Sequence, residues 1–142
     1  MEYYLKIQQY RFGDRISYSI DVRCNIDHLK IMPLIIQPIV ENAFVHGLET
    51  KEGEGEIRII VEKTDRLRIH VSDNGNGMSE EKLIEIRESL NDESKLDRSN
   101  IGLSNVNQRI KLLYGDEYGI TINSTENEGT KVIIELPEEI SQ

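Results

Sequence analysis

Three short stretches of this chain put polar side chains and glycines where ligand chemistry can be done. In SDNGNGM (72–78) a carboxylate, Asp73, is followed by two closely spaced glycines, Gly75 and Gly77. A carboxylate is purely a hydrogen-bond acceptor, and glycine leaves the backbone open to close approach. In PLIIQPIVENAFVHGL (33–48), Gln37, Glu41, Asn42 and His46 interrupt an apolar run, and Asn42 and His46 stand four apart, on one helical face. In SNIGLSNVNQRI, Gly102 stands where a polar loop meets the first turn of a helix, with Asn105 one turn later. Free backbone N–H groups at such a start attract an anion. Each stretch also has a plain structural reading: a turn, a solvated stripe and a helix cap, respectively. Asn42 strains the plain reading, because a short amide competes for backbone hydrogen bonds inside a helix.

Periodicity supplies the elements that carry these stretches. Before SDNGNGM, residues 66–72 alternate Leu67, Ile69 and Val71 with Arg66, Arg68 and His70, the pattern of a half-buried strand. After it, a helix over 79–90 carries Leu83, Ile84 and Ile86, with Ser79 as cap and Glu80 and Glu81 in the first turn. Upstream, the pattern predicts a short helix over 2–11, a strand over 15–22 (Ile16, Tyr18, Ile20, Val22) and the helix 33–48 opening at Pro33. The loop ETKEGEG leads to a strand over 56–63, joined to the next by a turn at Thr64-Asp65. Downstream, polar NDESKLDRSN precedes a helix with Leu103, Val106, Ile110 and Leu113 on one stripe, stopping at Gly115. Strands over 118–124 and 130–136 follow, linked by ENEG, and Pro137 ends the second. Strands with one apolar face each, and three helices to cover it, predict an α+β fold: a two-layer sandwich with a mixed, mostly antiparallel sheet.

At 142 residues the chain is expected to be a single domain, 1–142, and its formal charge of -9 argues against a nucleic-acid surface. Acidity does not exclude a nucleotide, which can be held by Mg²⁺, backbone N–H groups and a helix N-terminus with few basic side chains. No run approaches the ~18 apolar residues of a membrane helix, and the N-terminus lacks a signal-peptide pattern. A single cysteine, Cys24, cannot form an internal disulfide, which suggests a reducing, cytoplasmic setting.

Taken together and in this order, the stretches resemble the nucleotide-binding core of the ATPase superfamily that includes gyrase, the MutL repair proteins, a heat-shock chaperone family and histidine kinases. VENAFVHG is similar to its N box, DNGNGM to its first glycine box, NIGLSN to its second, and EGTKVIIELP to its closing strand. YLKIQQYRFGDRISYSIDV with IMPLIIQPIVENAFVHGL and GLSN...R is more similar still to the catalytic domain of LytS/YesM-type sensor histidine kinases.

The resemblance implies ATP and Mg²⁺ as ligands. By it, Asp73 accepts a hydrogen bond from the adenine amino group, Gly75 and Gly77 let the backbone lie against the purine, and Met78 follows in the same box. Asn42 holds Mg²⁺ through its amide oxygen and His46 faces the ribose or phosphates. Glu41 is a polar neighbour, because the position of the hydrolases' water-activating glutamate, four before the asparagine, is Pro38 here. That departure favours phosphotransfer over hydrolysis. Ile101, Gly102, Leu103 and Asn105 approach the phosphates, with Arg109, Lys95 and Arg98 as neutralising charges, and Thr130 lies near the adenine. Residues 91–101 correspond to the ATP lid, with Asn100 in place of the usual glycine, and residues 1–14 to the remnant of an upstream helix. His46 belongs to the N box, His70 lies within a strand and His28 lacks the acceptor's flanking pattern, so the resemblance implies a phosphoacceptor histidine outside this chain. It further implies a dimeric, membrane-anchored parent and a response regulator as partner. Two other readings are an anti-sigma-type serine kinase on the same fold and a non-catalytic nucleotide-binding or dimerisation module.

Overall fold

The computed structural model describes residues 6–7, 15–23, 32–44, 53–92 and 101–138. The elements are β1 (Ile16–Val22), α1 (Met32–Asn42), β2 (Gly55–Lys63), β3 (Leu67–Asp73), α2 (Glu80–Asn91), α3 (Ile101–Tyr114), β4 (Gly119–Thr125) and β5 (Gly129–Leu136). They form one sheet in the order β1-β2-β3-β5-β4, parallel between β1 and β2 and antiparallel elsewhere. This is the α+β sandwich that the alternating strands predict. Most of the expected helix over 2–11, Cys24, His28, His46 and the segment with Lys95, Arg98 and Asn100 lie outside the described residues.

Because strand side chains alternate, residues in register build rows across one face. One row runs Ile20, Ile59, Val71, Val132, Ile122, and the next Val22, Val61, Ile69, Ile134, Ile120. Ile35, Ile39 and Val40 of α1, Leu83, Ile86 and Leu90 of α2, and Leu103, Val106 and Ile110 of α3 close over them. Full burial of such a side chain contributes about 1.5–3 kcal/mol. Two expected core positions face outward: Ile84 is 48% and Leu113 59% exposed. In α2 the buried spacing is Leu83, Ile86, Leu90, which leaves Ile84 off the stripe. In α3, Tyr114, four residues beyond Ile110, packs on the core in place of Leu113.

An edge strand exposes unpaired backbone groups, and in β4 the helices cap them. Lys111 Nζ donates to the Tyr118 carbonyl (3.0 Å), Asn107 Oδ1 accepts the Ile120 N–H (2.9 Å), and Arg87 Nη2 and Nε donate to the Ile122 carbonyl (2.8 and 3.1 Å). Alternate residues 118, 120 and 122 point their backbone groups the same way, so three side chains from α2 and α3 occupy one edge. Asn107 is buried and its Nδ2 also donates to the Leu90 carbonyl at 2.9 Å, tying the end of α2 to both α3 and the sheet.

The opposite sheet face is charged. Arg66 and Arg68 approach Glu135, and His70 Nε2 lies 2.8 Å from Glu62 Oε1. The His70 hydrogen bond, ahead of the nearby cationic charges, holds Glu62 below its ordinary 4.5 against a smaller desolvation effect. A depressed carboxylate stabilises the fold above its unfolded value and loses that contribution as pH falls through its folded value. Glu62→Gln is therefore expected to flatten the acid side of the stability profile, in urea titrations below about pH 4.5. Asn107→Leu strands the Ile120 N–H and the Leu90 carbonyl, and is expected to cost about 2–4 kcal/mol in the same assay; a loss under about 0.5 kcal/mol, ordinary for a surface change, would contradict this account.

Candidate nucleotide-binding site

The third row across the core face breaks the apolar pattern: Tyr18, Ile57, Asp73, Thr130, Ser124. Asp73 follows Val71 by two residues, so its carboxylate leaves β3 on the face where Leu67, Ile69 and Val71 are buried. Here the sheet opens into a cleft of about 480 Å³ instead of continuing as core. Its deep walls are the buried side chains of Ile39, Ala43, Val71, Ile86 and Val132. Asn42, Asp73, Met78, Lys82 and Thr130 add the polar and half-buried lining, and Asn76, Glu126 and Asn127 form an exposed rim. An apolar slot with a few convergent polar groups is the usual form of a small-ligand site.

The loop after β3 is built by its own polar groups. Asp73 Oδ1 accepts the Gly75 N–H at 2.8 Å, closing an Asx turn, and Met78 N–H donates to Ser124 Oγ at 2.9 Å. Ser124 Oγ also lies 2.9 Å from both the Gly129 carbonyl and Thr130 Oγ1. Asn127, in the left-handed region at φ 67°, donates its N–H to the Asn76 carbonyl at 2.7 Å. The β4–β5 turn is thereby fastened to the loop. Gly77, at φ +66°, has the Thr125 carbonyl oxygen where a Cβ would clash with it, and Gly129 meets the Asp73 carbonyl oxygen in the same way. What approaches Gly77 is thus the hairpin backbone. Gly102 differs: a Cβ there would meet only the Pro38 Cβ, at an ordinary 4.0 Å. Packing among the described residues does not require a glycine at 102.

Of the residues singled out in the sequence, Asn42, Asp73, Gly77, Met78 and Thr130 line this one cleft. Asn42 ends α1, where the winding widens into a π turn through Ala43 and Phe44. Gly75 is buried in the loop. Glu41 is exposed and outside the cleft lining. Leu103 is a core residue, while Gly102, Asn105 and Arg109 sit on the exposed side of α3, whose first residue is Ile101. His46 lies outside the described residues. Sequence reasoning missed Ser124, Asn127, Glu126 and Lys82; for the first two, the signal was a Ser-Thr-Glu-Asn-Glu-Gly run whose hydroxyl and left-handed Asn suit a docked turn.

A family described as histidine kinase-, DNA gyrase B-, and HSP90-like ATPase matches residues 29–140. The chain belongs to this family. It is 40% identical over 137 residues to the sensor histidine kinase YpdA of Escherichia coli, covering 94% of this chain and 22% of that protein. To the sensor protein kinase HptS of Staphylococcus aureus it is 33% identical over 137 residues, covering 96% and 26%. The chain thus spans about a quarter of the length of these curated relatives. The fold is also that of the catalytic domain of histidine kinase ThkA, with a TM-score of 0.68 at 21% identity, over 96% of this chain and 89% of that one. Membership places the chain among the ATPase-type domains that sensor histidine kinases share with DNA gyrase B and HSP90.

The two glycines differ in what packing demands of them. Gly77→Ala adds strain at positive φ and a clash with Thr125, and is expected to cost about 1–3 kcal/mol in urea unfolding. Gly102→Ala, at a helix start with room for a methyl group, is expected to stay within about 1 kcal/mol of the parent. Equal losses would refute the distinction.

Proposed function

We propose that this chain binds ATP with Mg²⁺ and positions the γ-phosphoryl group for transfer to a histidine outside the chain, as the catalytic domain of a sensor kinase of the LytS/YesM type. One observation carries the reading: a carboxylate in register with Thr130 in an apolar cleft that Asn42 also lines. Adenine suits this cleft. Its flat ring fills the space between Ile39, Ile86, Val71 and Val132, and its amino group donates to Asp73, whose other oxygen is kept in place by the Gly75 N–H. A base that covers Asp73 with an acceptor in place of the amino group would cost about 1–3 kcal/mol, so the site selects against such bases.

Asn42 fits a magnesium ion that is held mainly by its substrate. Among the described residues no three His, Cys, Asp or Glu side chains cluster as a metal cage. Mg²⁺ is commonly bound through few protein oxygens, together with phosphates and waters. Bound there, the ion would neutralise charge on the phosphate oxygens; the protein's share is to orient the nucleotide. Gly102, the second residue of α3, lies beside Pro38, one turn before Asn42, and a glycine there would let a phosphate approach the α3 N–H groups. Catalysis on this reading is positioning plus electrostatic stabilisation. With Glu41 directed to solvent, no carboxylate from α1 is set to activate water, in keeping with transfer rather than hydrolysis. The domain would work in the cytoplasm, next to an acceptor helix of its own or a dimer-related chain. The parent would be membrane-anchored and pass phosphate to a response regulator.

Calorimetry with ATP, with and without Mg²⁺, tests this reading. Asp73→Asn is expected to weaken ATP binding by about tenfold to a hundredfold. Asn42→Ala is expected to abolish the Mg²⁺ dependence while leaving adenosine binding intact. A chain that binds ATP no better than GTP, or an Asp73→Asn variant with unchanged affinity, would overturn the assignment.

A further inference from the structure

Lys82 is the only cationic side chain lining the cleft among the described residues, in a chain of formal charge -9. It stands in the first turn of α2, and its backbone N–H is already used by the Ser79 cap at 3.2 Å. The side chain is therefore not required for the cap. Its ammonium group makes a long contact of 3.7 Å with Glu85 Oε2, and the two side chains are 38% and 68% exposed. A solvated pair of this kind contributes little to stability. The β4–β5 turn puts Glu126 on the same cleft lining. The buried part of the lining is hydrocarbon, from Ile39, Ala43, Val71, Ile86 and Val132, whereas Lys82 is half-buried and Glu126 exposed.

We infer that Lys82 is a binding residue for the anionic part of the nucleotide, and that Glu126 opposes it, so that this pair sets how strongly the cleft prefers a polyphosphate over a bare nucleoside. The inference rests on the proposed nucleotide site and deepens it. A polyanion entering a net-negative protein gains most from a cation on the cleft wall, where the field is less screened than on open surface. The long lysine stem can follow the apolar wall while its head stays wet. The same field works against the ligand at Glu126, and there the sign of a charge-removing substitution must reverse.

The test compares ATP, ADP and adenosine by calorimetry on the 142-residue chain, at low and raised salt. Lys82→Ala, which keeps the helix and its cap, is expected to weaken ATP about 5- to 10-fold. ADP is expected to lose less and adenosine nothing, and the salt dependence should shrink. Lys82→Arg should restore ATP binding, and Glu126→Gln should tighten ATP about twofold without changing adenosine. ATP affinity unchanged in Lys82→Ala, or a matching loss for adenosine, would overturn the inference while leaving the nucleotide site standing. A wild-type chain that binds none of the three would overturn both.

Discussion

Asp73 leaves β3 on the same face as Leu67, Ile69 and Val71, so the sheet holds a carboxylate in the position its other rows give to hydrocarbon. A charge cannot be packed under helices at acceptable cost without partners. The helical layer accordingly leaves the Asp73 end of the sheet as a cleft. One oxygen is answered from within the protein by the Gly75 N–H. The row that contains it stays polar towards the sheet edge, through Thr130 and Ser124, whose hydroxyls lie 2.9 Å apart. A single strand position thus decides where core ends and binding cavity begins.

The loop that follows could not keep this arrangement alone, since turns rich in Asn and Gly are entropically soft. Its rigidity comes from the far side of the sheet. β5 pairs with β3, and β4 pairs with β5, so the β4–β5 turn arrives beside the loop as a consequence of strand order. Gly77 and Gly129 allow backbone to meet backbone, while Met78 N–H and the Asn76 carbonyl find partners on the turn. The two glycines therefore differ: Gly77 lets the hairpin backbone close on the loop, whereas packing among the described residues makes no such demand at Gly102.

Most of this fold is legible in the amino-acid pattern, because strands with one wet face advertise their period and because Ser79 and Gly115 mark helix ends by local chemistry. The strand periods place each strand to within about a residue. The departures share one cause. Ile84 and Leu113 are apolar and near the right spacing, yet which of two adjacent residues faces the core depends on the docking angle of the helix, a tertiary quantity. Asn107 carries no local signal at all: its value is that it reaches Leu90 and Ile120, which are remote in sequence. In the cleft, Asn42 stands out because a short amide is unusual inside a helix, whereas Asp73 and Thr130 stand out through the boxes they resemble. Lys82 and Glu126 look like ordinary surface charges until the β4–β5 turn is known to face α2.

The capped edge of β4 bears on function as well as on solubility. α2 and α3 bound the segment 93–100, and the Leu90 carbonyl and the Ile120 N–H are held by one buried side chain, Asn107. Arg87 fixes α2 to the Ile122 carbonyl of β4, and Lys111 fixes α3 to the Tyr118 carbonyl just before that strand. Movement of one helix end would break bonds on the other or on the sheet, at a cost of about 1 kcal/mol or more for each bond lost. The supports on either side of that segment are consequently stiff with respect to β4, β5 and the Asp73 row. On the proposed reading, such stiffness is what a site working by positioning requires: the base is fixed by Asp73, and the distance from there to the start of α3 does not drift.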